Sequence, residues 1–187
     1  MNINKKIVNK GTGAGGSNTN KNGLRYEDLT DLKTEFNIIK SSKYYELIQF
    51  NNINRKYVRL IKSQLFKYMK MNKEMNEDIP KAHGCKQPDE CYIDEDSKII
   101  YIIEKKFQQT GGSVCEKIQT GYFKKTHYNN IFPNYTVNYI YTLSDWFNKN
   151  CKSEIVHLKE INIPVFWGSD KEYKNKIINY ITNNYQH

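Results

Sequence analysis

The stretch Ile99-Ile-Tyr-Ile-Ile-Glu-Lys-Lys-Phe-Gln108 is the most informative part of the sequence. It opens with apolar, mostly β-branched residues, which predicts a strand. Because side chains alternate along a strand, the even-numbered residues from Ile100 to Gln108 share one face. That face changes abruptly from apolar side chains to Glu104 and Lys106. Charges at the end of an apolar strand are costly to bury, so they indicate a site that uses them.

The residues before this strand predict the other half of a β-hairpin. Segment 91–94 is strand-like, and the acidic turn Asp94-Glu-Asp-Ser97 joins it to the strand-like segment 98–109. Asp89 lies at the open end of the hairpin. Its carboxylate would therefore reach the face that carries Glu104 and Lys106.

The rest of the chain alternates between helical and extended patterns. Helices are predicted from Asn22-Gly23 through Leu29, Leu32, Phe36 and Ile39, over 64–71, from the capping box Ser113-Val-Cys-Glu116 to Tyr128, and over 146–154 and 171–185. Further strands are predicted over 44–50, 57–61, 136–143 and 163–167. This order predicts an α/β fold in which helices flank a mixed β-sheet.

Residues 1–22 differ in composition from the rest of the chain. They hold Lys5, Lys6, Lys10 and the run Gly11-Thr-Gly-Ala-Gly-Gly-Ser-Asn-Thr-Asn20, which predicts a flexible basic arm rich in Gly and Asn. The glycine spacing matches neither a dinucleotide fingerprint nor a P-loop, so no nucleotide cofactor is expected. Residues 23–187 are predicted to form a single domain with one sizeable core.

Composition narrows the class of protein. The 187 residues carry a net charge of +9, which favours a nucleic-acid partner through phosphate neutralisation. No apolar run has the length of a membrane span, and the first residues lack the apolar region of a signal peptide. A cytoplasmic protein that does not bind membranes is therefore expected. The four cysteines have no paired spacing, so free thiols are expected, and His83, Cys85 and Cys91 are too irregularly spaced for a closed zinc site.

The polar residues at the end of the hairpin suit phosphodiester hydrolysis. Asp89 and Glu104 offer the carboxylate oxygens that Mg²⁺ prefers, and the cation would neutralise charge that builds on the phosphoryl oxygens. Lys106 would orient or activate the attacking water, as a catalytic base, or stabilise the pentacovalent phosphorus. A purely structural interpretation stays open, in which Glu104 and Lys105 face solvent from an edge strand and Asp89 belongs to a turn.

Pro88-Asp89 followed by Glu104-x-Lys106 resembles the PD-(D/E)xK signature of restriction endonucleases and related DNA enzymes. The resemblance extends over about residues 22–170. It implies a restriction-endonuclease-like core, a mixed β-sheet flanked by helices in the order α-β-β-β-α-β. Residues 112–125 then look like the helix that follows the active strand in this family.

The resemblance also implies the remaining parts of the site. Gln108 would support the catalytic residues Asp89, Glu104 and Lys106 from the same face. Glu27, in the first helix, would be an auxiliary metal ligand beside Asp89 and Glu104. The expected activity is that of a Mg²⁺-dependent endonuclease, with Mn²⁺ able to substitute, that cuts double-stranded DNA to 5′-phosphate ends. A chain this small would need two active sites to cut both strands, so a homodimer is expected.

Basic residues around the predicted site are candidates for phosphate binding: Arg25, Lys105, Lys117, Lys124 and Lys125. His83 is an alternative acid or base near Asp89. Two other functions stay open. One is a structure-specific repair or recombination nuclease of the same fold, and the other is a non-catalytic nucleic-acid-binding protein whose positive charge is its function.

Overall fold

The structure is a computed structural model that describes residues 17–109 and 114–183. Within these residues, seven strands form one sheet: β1 Phe36–Ser41, β2 Glu46–Phe50, β3 Lys56–Leu60, β4 Glu90–Asp94, β5 Ile99–Lys106, β6 Thr136–Leu143 and β7 Val165–Trp167. The described part of the chain also holds seven α-helices: α1 Ser17–Leu29, α2 Gln64–Met71, α3 Val114–Gln119, α4 Gly121–Ile131, α5 Asp145–Asn150, α6 Lys152–Glu160 and α7 Tyr173–Asn183. A 3₁₀ turn, His83–Cys85, lies in the loop between α2 and β4. The predicted α/β class is confirmed.

The strands lie side by side in the order in which they occur along the chain. β1 to β5 are antiparallel neighbours, and β5, β6 and β7 run parallel. β5 pairs along its whole length with β6 and is also paired with β4. β5 is therefore an inner strand, and the interpretation of Glu104 and Lys105 as the end of an edge strand is wrong.

Both faces of the sheet are covered. One face packs against α2, α4 and α6 through residues that include Phe66, Tyr128 and Leu158. The other face packs against α7, where Ile177 and Ile181 are fully buried against Tyr101 of β5. This arrangement gives a three-layer α/β/α core and explains why β5 is apolar on both faces. Within the described part of the chain, no helix is long and apolar enough to cross a membrane.

The first predicted helix is corrected in its bounds. α1 begins at Ser17 and ends at Leu29, so part of the predicted arm is helical and the predicted helix through Ile39 is wrong. The segment from Phe36 instead forms β1, with Phe36 opposite Phe50 in an antiparallel pair. The apolar spacing suggested one continuous helix because Leu32 and Phe36 belong to the same core but lie on either side of a turn. Residues 1–16 of the predicted arm lie outside the described residues.

The predicted helix from 113 to 128 is two helices. α3 ends at Gln119, α4 begins at Gly121, and the Thr120 hydroxyl between them donates to the Lys117 carbonyl at 2.8 Å. A Cβ at Gly121 would lie 3.0 Å from the Tyr141 ring, so glycine allows α4 to approach the sheet closely. Gly111, Gly112 and the predicted cap Ser113 lie outside the described residues.

The expectation of four free thiols is wrong for two of the cysteines. Cys115 of α3 and Cys151, between α5 and α6, form a disulfide. Their 36-residue separation along the chain gave no paired spacing that would have indicated the bond. Cys85 and Cys91 are free, as predicted, and both are buried.

Candidate active site

The hairpin of β4 and β5 brings the predicted catalytic residues together. Asp89 directly precedes β4, and Glu104 and Lys106 lie at the carboxyl end of β5. The register pairs Glu90 with Ile103, so Asp89 falls beside Glu104 on the face that packs against α4. The Lys105 amide donates a hydrogen bond of 2.7 Å to Asp89 Oδ2, which fixes this carboxylate to the strand.

Lys106 is the group that both carboxylates approach. Its Nζ lies 2.6 Å from Glu104 Oε1 and 4.0 Å from Asp89 Oδ2. Lys124 of α4 adds a second ammonium, with Nζ 3.0 Å from the same Glu104 oxygen. The result is a largely buried group of two carboxylates and two ammonium ions at the end of β5.

The surroundings of Asp89, Glu104 and Lys106 shift the pKa of each of these side chains. Burial, reinforced by the charge of Glu104 and opposed by Lys106, raises the pKa of Asp89 to about 6. Burial alone would raise the pKa of Glu104, but the two lysines outweigh it and lower that pKa. The pKa of Lys106 is raised, because Glu104 and Asp89 outweigh the opposing effect of burial. At neutral pH Lys106 is therefore a cation, which favours a stabilising role over that of a catalytic base.

We expect Asp89→Asn to stabilise the metal-free protein at neutral pH. The pKa of Asp89 is raised from 3.8 to about 6, so the folded state holds this proton more tightly than the unfolded state does. Stability is lost as pH rises from about 4 to about 6, and the substitution should restore on the order of 2 kcal/mol at pH 7. Urea unfolding in EDTA at about pH 4 and about pH 7 measures this difference. Wild type and variant should converge at the acidic pH; a less stable variant at neutral pH would contradict the electrostatic description.

Glu27 acts on this group through its charge, and Gln108 follows Lys106 by two residues in the chain. The charge of Glu27, on α1, raises the pKa of both Asp89 and Lys106. Among the described residues, however, Asp89, Glu104 and Glu27 do not form a set of ligand atoms within 4.8 Å of one another. β5 ends at Lys106, so Gln108 lies beyond the strand that was predicted to extend to Gln109. It is buried there, and its main chain is hydrogen-bonded to Ser144.

Lys105 lies on the opposite face of β5 and belongs to a different cluster. Its Nζ lies 2.9 Å from Glu90 Oε2, and both side chains are almost fully buried. Arg59 joins this cluster and pairs with Glu46 at 2.8 Å and with Asp31 at 3.1 Å. A buried, paired ammonium cannot reach a phosphate of a bound duplex. This burial argues against a nucleic-acid contact of Lys105, which stays a prediction.

Of the other predicted phosphate-binding residues, Lys124 lies at the candidate active site and the rest lie away from it. Arg25 and Lys117 are exposed, and Lys125 donates a hydrogen bond to the Asn162 carbonyl at 3.1 Å. Burial lowers the pKa of Lys125. Lys124 instead reaches Glu104, a contact that its position in a helix after the active strand did not reveal. His83 is exposed.

The only close set of three possible metal-binding side chains in the described residues is Cys115, Cys151 and Glu154. The two thiols form the disulfide, so this set offers no thiolate to a metal ion. Comparisons of the chain with family models, with curated proteins and with solved structures give no match.

Proposed function

We propose that the protein is a metal-dependent DNA endonuclease of the PD-(D/E)xK type. The observation that carries the proposal is the convergence of Asp89, Glu104 and Lys106 at the end of one β-hairpin. These are the residues that match the signature, and each is partly removed from solvent. A sequence-specific restriction endonuclease is the form of this activity that we favour.

The order of elements gives supporting evidence at the level of the fold. Strands β3, β4 and β5, then α3 and α4, and then β6 fit the β-β-β-α-β part of the expected core. The chain adds α2 between β3 and β4, and β1 and β2 between α1 and β3. The restriction-endonuclease-like fold is part of this proposal.

The donor set fits a divalent cation. Asp89 and Glu104 would hold it, since both present carboxylate oxygens and the charge of Glu104 raises the pKa of Asp89. A cation between them would relieve this repulsion. When bound, Mg²⁺ or Mn²⁺ supplies positive charge that neutralises the phosphoryl oxygens. Glu27 would act on this site through its charge.

Lys106 and Lys124 would then have different roles in hydrolysis. A water oxygen forms a bond to phosphorus and loses a proton to solvent as the bond to the 3′ oxygen breaks. The 3′ oxygen takes up a proton from solvent, which leaves a 3′-hydroxyl and a 5′-phosphate. The Lys106 ammonium stabilises charge that develops on the phosphoryl group in this step. Lys124 holds Glu104 in place through its 3.0 Å contact. Exposed Arg25 and Lys117 would bind phosphates along the duplex. The net charge of +9 would attract the DNA to the protein.

Incubation of the protein with long duplex DNA tests the activity. Wild type should cut in Mg²⁺ or Mn²⁺ and not in EDTA, and Glu104→Gln should not cut in any of these conditions. Discrete fragments support restriction, while cleavage only at branches, flaps or mismatches supports the repair alternative. No cleavage of any of these substrates by wild type would leave a non-catalytic nucleic-acid-binding protein. Sedimentation of the DNA complex tests the expected homodimer.

A further inference from the structure

An open cleft of about 550 Å³ lies beyond the carboxyl ends of β5 and β6. Its lining includes the rings of Tyr26, Phe107 and Trp146 and the polar side chains of Asp145 and Lys149. This volume is typical of small-ligand sites. In α/β proteins, ligands bind preferentially outside the carboxyl ends of parallel strands.

The cleft is joined to the candidate active site through the main chain. The Ser144 amide donates to the Lys106 carbonyl at 3.1 Å. The Ser144 hydroxyl exchanges hydrogen bonds of 3.1 and 3.0 Å with the Gln108 amide and carbonyl. On the other side, Tyr26 of the cleft is the neighbour of Glu27, whose charge acts on Asp89. Phe107, which lines the cleft, directly follows Lys106 in the chain, so the cleft begins at the end of β5 that carries Lys106.

One aromatic wall of the cleft is fixed. The rings of Tyr26 and Phe107 pack with their centroids 5.3 Å apart, and Tyr26 is 8% exposed. A Cβ at position 168 would overlap the Tyr26 hydroxyl, so Gly168 is what lets this tyrosine pack there. Trp146 is half-buried and packs edge-on against Phe147 at 5.5 Å. The cleft thus offers preformed aromatic surface.

We propose that this cleft binds an unstacked base of the strand that is cut, next to the scissile phosphate. Aromatic faces stack with any base, and the cleft lining also holds the donor Lys149 and the carboxylate of Asp145, whose Oδ1 accepts a hydrogen bond from Ser169. The inference depends on the proposed nuclease function. It implies that the enzyme acts on a single strand or displaces a base from the duplex before cutting.

Binding to the cleft is tested through the emission of Trp146. The chain has two tryptophans, so Trp167→Phe leaves Trp146 alone, and Glu104→Gln prevents cutting. An oligothymidylate of about 12 nucleotides should quench the emission and bind about tenfold more tightly than an abasic strand of equal length. Equal affinity with unchanged emission would overturn the proposal.

Cleavage kinetics separate this proposal from the proposed function. Trp146→Ala should lower kcat/KM about tenfold, the value of one stacked base, and Trp146→Phe should restore most of the loss. Thermal midpoints of both variants show whether they fold. If wild type does not cut DNA, the nuclease proposal fails. If wild type cuts and a folded Trp146→Ala cuts equally well, the nuclease proposal stands and the cleft proposal is wrong.

Discussion

Replacing Lys106 by alanine should lower Mg²⁺-dependent cleavage of DNA by about 10²–10³-fold, because it removes the cation that stabilises charge at phosphorus. The ammonium lies 2.6 Å from Glu104 and 4.0 Å from Asp89, on the face of β5 that carries both carboxylates. Loss of this cation should not prevent DNA binding, since exposed Arg25 and Lys117 remain. Single-turnover cleavage and a filter-binding assay measure the two effects separately.

Lys117→Ala is the matched control for this prediction. It removes one ammonium from the exposed surface of α3 and leaves the cluster at Glu104 intact. It should weaken DNA binding and lower its salt dependence, with little effect on the cleavage rate of bound DNA. If Lys106→Ala cuts bound DNA as fast as Lys117→Ala does, Lys106 has no part in the chemistry.

Replacing the adjacent Lys105 by alanine should instead destabilise the fold, by about 3–5 kcal/mol. Its ammonium pairs with Glu90 at 2.9 Å, and the two side chains are 3% and 2% exposed. The substitution leaves a buried carboxylate without its closest cation. Urea unfolding should give the same loss of stability in EDTA and in Mg²⁺, because the pair lies on the face of β5 away from the proposed metal site.

Two further variants separate charge from packing at this position. Lys105→Met keeps most of the side-chain volume and should still destabilise, since Glu90 loses its closest ammonium partner. The double variant Lys105→Met with Glu90→Gln leaves no uncompensated charge and should recover much of the lost stability. If Lys105→Ala is no less stable than Lys117→Ala, the buried pair does not hold the fold together.

The central part of the fold was predictable because its local signals agree with its tertiary environment. β6 has the bounds 136–143 that alternation and β-branched residues predicted, and α2 has the predicted bounds 64–71. α1 and β1 were not predictable, because Leu32 and Phe36 are buried in one core from two sides of a turn. A helical spacing and a turn between two core residues look alike in a single sequence.

The candidate site was predictable where strand geometry fixes it and not where tertiary contacts do. Alternation placed Glu104 and Lys106 on one face, and the hairpin brought Asp89 to them. The approach of Lys124 to Glu104 depends on how α4 packs on the sheet, which no local pattern encodes. The burial of Lys105 depends likewise on Glu90 of the neighbouring strand β4. Lys105 and Lys106 look equivalent in the sequence, and only their positions on opposite faces of β5 distinguish them.

Iron-directed cleavage of the protein chain tests whether Asp89 and Glu104 hold one divalent cation. Fe²⁺ substituted for Mg²⁺, with ascorbate and peroxide, generates radicals that cut the backbone near the bound ion. We expect fragments that end near residues 89 and 104, lost when Mg²⁺ competes and in Glu104→Gln. Fragments that end elsewhere, with the same abundance in wild type and in Glu104→Gln, would contradict the account.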